Sequence, residues 1–186
     1  MKLSVAALLL ISILCGCNSK DVQLQQALEL RKALISAENC SFETTITADY
    51  GKTLYTFQMH CHMDSDNNLS FTVTDPETIA GISGMISKDA ASLTFDDKLL
   101  AFPILADDQL TPVSAPWIFL NALKSGYIIG SSREEDGHCI YLEDSFSENP
   151  IHIEVHTDLQ WQPYHADFFW KQQRVLSIEI RNFNIQ

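Results

Sequence analysis

The stretch CSFETTITADYGKTLYTFQMHC (residues 40–61) alternates apolar and polar side chains on both sides of Asp49-Tyr50-Gly51-Lys52. Alternation with period two marks half-buried strands, and an Asp/Gly-containing break between two such runs marks a hairpin. If Asp49 pairs with Lys52, then Ile46 faces Tyr55, Thr44 faces Phe57, Phe42 faces Met59 and Cys40 faces Cys61. This register gathers the apolar side chains on one face. It also sets Cys40 and Cys61 at a close, non-hydrogen-bonded pair, so a Cys40–Cys61 disulfide is expected in an exported protein. Cys139 is left over, as a packed thiol.

Working outward, the same pattern recurs near 69–73, 84–87, 92–95, 99–102, 127–132, 139–142, 151–156, 164–170 and 175–183. Polar turns such as Asp64-Ser65-Asp66-Asn67-Asn68 and Glu135-Asp136-Gly137 separate the runs. The expected class is α+β: a large curved antiparallel sheet, an incomplete barrel, broken once. The break is TPVSAPWIFLNALKSGY (111–127). There Ser114 and Pro116 suit a helix start and Gly126 its end. A short helix that is apolar on nearly every side must be buried on several sides, so it is expected to lie across the concave face. Upstream, residues 21–38 have helical spacing, with Leu24, Ala27, Leu28, Leu34 and Ile35 on one face, widened by Leu30 and Ala37 and interrupted by Arg31 and Glu38.

The N-terminus decides location. MKLSVAALLLISILCGC (1–17) has one charge, Lys2, and then an apolar run. That run is shorter than the roughly 20 residues a span needs and has the parts of a secretory signal. Leu14-Cys15-Gly16-Cys17 looks like a bacterial lipobox: an aliphatic residue three positions before Cys17 and a small one immediately before it. Residues 1–16 are expected to be cleaved, Cys17 to carry palmitate-type acyl chains, 17–20 to form a short tether and 21–186 a single domain. The expected location is the outer face of the cytoplasmic membrane.

The chain carries 12 Lys and Arg against 24 Asp and Glu, a net charge of −12, and Lys2 would leave with the signal. A surface of that sign repels nucleic acid and anionic headgroups, and no basic cluster exists, so nucleic acid is excluded as a partner. No Gly-x-Ser-x-Gly, His-Glu-x-x-His, Cys-x-x-Cys or phosphate-binding Gly loop is present. No catalytic residue and no cofactor are expected, and the protein reads as a non-enzyme. His152, Glu154 and His156 project from one strand face as weak metal candidates that lack a third element, so no metal site is expected. Asp64, Asp66, Asn68 and Asp75 match calcium-loop spacing, but Leu69 stands where that loop needs Gly.

The order of elements resembles the LolA/LolB-like lipoprotein fold. LSFTVTDPETIAGISGMIS (69–87) is similar to that family's strand, Pro-led turn with a Gly-Ile step, and next strand, running on into LTFDDKLLAF (93–102). FFWKQQRVLSIEIRNF (168–183) resembles its closing hairpin. Within the fold the chain looks most like uncharacterised and germination-associated lipoproteins of spore-forming Firmicutes. The resemblance implies an incomplete barrel closed by helices over a hydrophobic cavity. Two roles follow as expectations: an extracytoplasmic interaction or regulatory module for a cell-envelope protein, or a binder of a lipid or acyl chain between sheet and apolar helix. Candidate lining residues are Tyr55, Phe57, Met59, Phe71, Phe95, Phe102, Trp117, Phe119 and Trp170.

Overall fold

The computed structural model describes residues 19–49, 51, 53–88, 90–95, 98–101, 105–106 and 109–186. Cys17 and Phe102 lie outside the described residues. Helix α1 (Ser19–Ser36) is followed by six strands: β1 (Asn39–Asp49), β2 (Leu54–Asp64), β3 (Leu69–Asp75), β4 (Ser83–Ile86), β5 (Ala91–Phe95) and β6 (Lys98–Ala101). A small hairpin, β7 (Leu105–Ala106) with β8 (Gln109–Leu110), leads to helix α2 (Ala115–Ser125). Five more strands complete the chain: β9 (Tyr127–Arg133), β10 (Gly137–Glu143), β11 (His152–Asp158), β12 (Pro163–Trp170) and β13 (Gln173–Ile185).

The main sheet has eleven strands in the order β6-β5-β4-β3-β2-β1-β13-β12-β11-β10-β9, with β7-β8 apart from it. Two meanders therefore meet at the first and last strands, and the two edges, β6 and β9, come from the middle of the chain. These edges do not pair with each other, so the barrel is incomplete, as expected.

Alternating burial along β1, β11 and β13 shows one core face and one outer face. The core face carries Phe42, Ile46, Met59, Phe71, Ile153, Phe168 and Ile178, all buried. Against it lies α2, whose Trp117, Ile118, Phe119, Leu120, Ala122 and Leu123 are all buried. Phe119 packs edge-on to Phe42 of β1 and Phe183 of β13, with ring centroids 6.0 and 6.2 Å away. The helix fills this part of the concavity.

Several expectations need correction. The β1–β2 hairpin pairs Asp49 with Leu54, Ile46 with Phe57, Phe42 with Cys61 and Cys40 with Met63, two residues away from the Asp49–Lys52 register. The loop spans four positions; Gly51 sits at φ +76° and its N–H donates to Asp49 Oδ1 at 2.8 Å. A two-residue offset keeps every side chain on its face, so alternation alone could not distinguish the registers. It does separate Cys40 from Cys61, which become diagonal neighbours at a typical spacing of about 7–8 Å, beyond the usual Cα span of a disulfide. The expected bridge is not formed, and both are buried free thiols.

Helix α1 buries Ala27, Leu30 and Leu34, whereas Leu24, Leu28 and Ile35 of the expected face are 42%, 47% and 58% exposed. It also already includes Ser19 and Lys20, half of the expected tether. Its main contacts are with β9 and α2. Ser114 stands at the N-cap position of α2, as expected, but its Oγ–H donates to the Thr111 carbonyl at 2.6 Å and makes no side-chain cap bond. Gly126 does end the helix, with extended backbone; a Cβ there would press on the Ala122 and Glu143 carbonyls at 2.7 and 3.0 Å.

Arg31 interrupts the apolar pattern of α1 for a reason visible only in the fold. Its Nε donates to Leu123 O at 2.7 Å, and its Nη2 donates to Gly126 O at 2.7 Å and Ala122 O at 3.4 Å. These carbonyls lie at the last turn of α2, the negative pole of the helix, where only Ala122 O also accepts a backbone N–H, that of Gly126 at 2.8 Å. Arg31→Ala is expected to lower stability by about 1.5 kcal/mol, the low end for bonds to a charged group because the guanidinium is part-exposed. Arg31→Lys should recover less than half, since an ammonium lacks the fork that reaches three carbonyls. Urea unfolding of the two variants measures both.

Candidate functional site

The concave face is not filled throughout. Beyond the N-terminal end of α2, an open groove of about 350 Å³ is lined by Tyr55 and Phe57 of β2, Phe71 and Val73 of β3, Ile79 and Ile82 of the β3–β4 turn, Leu93 of β5, and Pro112 and Val113. Phe57, Phe71 and Val73 are buried and form the floor, while Tyr55 is 52% exposed at the rim. Period two explains the floor, because Tyr55 and Phe57 on β2, and Phe71 and Val73 on β3, project to the same side.

The turn that walls the groove is held down by backbone bonds. Val73 N–H donates to Ile82 O at 2.8 Å and Gly81 N–H returns to Val73 O at 2.9 Å. Gly81 adopts φ +89°, which glycine takes without steric cost. A Cβ at Gly84 would overlap the Phe71 ring and the Ser92 carbonyl, so the missing side chain is what lets that ring lie flat across β4. Pro112 and Val113 belong to a single 3₁₀ turn that starts α2.

The candidate lining residues divide. Tyr55, Phe57 and Phe71 line the groove. Met59 and Phe119 are fully buried core. Trp117 is buried, its indole N–H donating to Asn67 O at 3.1 Å across the β2–β3 turn. Trp170 lies elsewhere, beside Asp49, Leu110 and Val175. Phe95 ends β5, and only its backbone is described. The sequence reading missed Val73, Ile79, Ile82, Leu93, Pro112 and Val113. Ile79 and Ile82 did carry a signal: two isoleucines inside the turn between β3 and β4. A larger cleft of about 500 Å³ between Glu143–Pro150 and Phe169–Gln172 mixes charged and polar groups, His152 among them, with the apolar Pro150 and Phe169.

The outer face of β9–β13 carries His152, His156 and His165. Cross-strand pairing sets Ser132, Cys139, His156, His165 and Glu179 in one row, and Tyr141, Glu154, Asp167 and Ser177 in the next. His152 Nε2 lies 3.5 Å from Glu154 Oε1, but His156 turns away from that pair to Glu134, Nδ1 to Oε2 3.0 Å. His152, Glu154 and His156 thus share a face without forming one cluster. Burial alone would raise the Asp167 carboxyl, but His165 at 3.2 Å and Arg174 at 3.3 Å outweigh it and hold the carboxyl below its usual range. Burial, with the Glu134 charge beside it, pushes the Cys139 thiol up to about 12, the opposite of an activated nucleophile. Asp64 of the calcium-like loop accepts Asn68 N–H at 2.9 Å and Asn68 Nδ2 at 3.1 Å, which makes it the latch of a hairpin turn.

No protein-family model matches the chain, and no curated protein matches it. Solved structures do. An uncharacterized conserved protein from Thermus thermophilus has 10% identity and a TM-score of 0.49, covering 88% of each chain. A LolA superfamily protein from Nitrosomonas europaea has 7% identity and a TM-score of 0.45, covering 86% of this chain and 93% of that one. Lipoprotein LppX from Mycobacterium tuberculosis has 10% identity and a TM-score of 0.42, covering 88% and 93%. Likenesses at this level concern the path of the chain alone.

Proposed function

We propose that this protein is a non-catalytic binding module of the cell envelope, anchored through acyl chains on Cys17, whose groove takes up one hydrocarbon chain of a lipid. The groove carries the proposal: its lining is apolar apart from the Tyr55 hydroxyl. Its volume falls at the small end of ligand pockets, which suits a single chain. Each methylene withdrawn from water there contributes about 0.8 kcal/mol, so a short length of chain gives useful affinity. Among the described residues that line the groove there is no carboxylate, imidazole or thiol.

One observation favours a second reading, an apolar side chain of an envelope protein as the occupant. The groove reaches Leu93 on β5, next to the edge strand β6, where a partner strand could add to the sheet.

The test is native mass spectrometry of the mature protein purified without harsh detergent, together with titration by an environment-sensitive fluorescent fatty acid. A reproducible added mass of lipid size is expected, and Val113→Asp, at the part-exposed wall, should weaken fatty-acid binding at least tenfold with the fold intact. Bare mass and no fatty-acid binding would overturn the lipid reading. Crosslinks from position 113 to one envelope protein would then establish the second.

A further inference from the structure

We infer that Glu134, Cys139 and His156 form a binding site for a thiophilic divalent cation of the Zn²⁺ class on the outer face of the sheet. Cys139 and His156 are direct cross-strand partners on β10 and β11. Glu134 comes from the β9–β10 turn, whose Glu134 N–H donates to Gly137 O at 2.9 Å and brings the side chain back over β11. The three ligand atoms lie within 4.8 Å of one another, with the His156–Glu134 pair at 3.0 Å. Zinc bonds of about 2.0–2.3 Å in tetrahedral arrangement hold such atoms roughly 3.3–3.6 Å apart, so rotamer shifts of about 1 Å would complete the site.

The surroundings match the need. Cys139 is 1% exposed, whereas the His156 and Glu134 side chains are 20% and 35% exposed, which gives an ion a path from solvent to a sheltered sulfur. Next in the row stands His165, its ring centroid 5.5 Å from that of His156 and its Nε2 3.2 Å from Asp167. Water can take the fourth position, with the carboxylate-held His165 next to His156 in the row. Thiolate and imidazole select Zn²⁺ over Ca²⁺ or Mg²⁺, which prefer oxygen cages. Binding replaces the S–H proton of Cys139, which leaves to solvent. The ion would tie the β9–β10 turn to β11.

Titration of the full chain, kept reduced, with Co²⁺ and then Zn²⁺ tests this. The expected result is one Co²⁺ per chain, a near-ultraviolet thiolate-to-cobalt charge-transfer band, and displacement of that band by Zn²⁺. Cys139→Ser and His156→Gln should abolish the band, while Cys61→Ala and His152→Gln keep it. Zn²⁺ should raise the Tm of the wild type and leave that of Cys139→Ser unchanged, which separates lost binding from lost folding. Absence of the band, or a band that survives Cys139→Ser, overturns the site.

Discussion

Phe119→Ala is expected to lower the stability of the domain by about 3–5 kcal/mol, a large part of the whole for a protein of this size. Phe119 is fully buried in the middle of α2. Its ring meets Phe42 and Phe183 edge-on, and those two lie 5.8 Å from each other. They belong to β1 and β13, the pair that joins the two meanders. Truncation therefore removes the buried area of one ring, forfeits two aromatic contacts and leaves a cavity at the joint, where strands on either side resist collapse. Phe119→Leu keeps most of the volume and should cost less than half as much. Urea unfolding measures both, and because the groove lies elsewhere, folded Phe119→Ala should bind fatty acid as the wild type does.

Much of this architecture was legible because period two and period 3.6 are written locally. The strand runs, the polar turns and the apolar helix at 115–125 follow from residues a few positions apart. What failed leaves no mark on the local pattern. The two-residue register offset at Asp49–Leu54 preserves the inside/outside pattern and leaves no trace in the alternation. The pairing of β1 with β13 joins segments more than a hundred residues apart and decides which side chains share a row on the outer face.

The same limit governs the sites. Tyr55, Phe57 and Phe71 were legible as apolar side chains on the core face, but aromatic character could not separate them from Met59 and Phe119, which the helix covers. Only the position of α2 tells floor from core. On the outer face, His152, Glu154 and His156 were legible as a set, because i and i+2 share a side of a strand. The partners of His156 were not: Cys139 stands opposite it through strand pairing, and Glu134 reaches it through the conformation of a turn. Arg31 looked like a flaw in a helix until the carbonyls of α2 were placed before it.

Cys17→Ala is expected to abolish acylation completely, whereas Cys15→Ala leaves it intact. Incorporation of an alkyne-tagged fatty acid during growth, read on the purified chain, distinguishes the two cysteines directly. Label surviving Cys17→Ala would move the anchor to another residue and overturn the assignment of the mature N-terminus. The physical consequence is large because single-chain anchors hold only reversibly, and each further buried methylene adds about 0.8 kcal/mol. A chain beginning at Asn18 should therefore be recovered entirely in the soluble fraction. Among the described residues no helix is long and apolar enough to cross a membrane and retain it there. The acidic chain is repelled by anionic headgroups as well. Helix α1 already includes Ser19, so at most one residue separates an acylated Cys17 from a rigid element packed on β9 and α2. An anchor so close to the body would fix the domain's distance from the bilayer, and with it the height at which the groove meets a lipid.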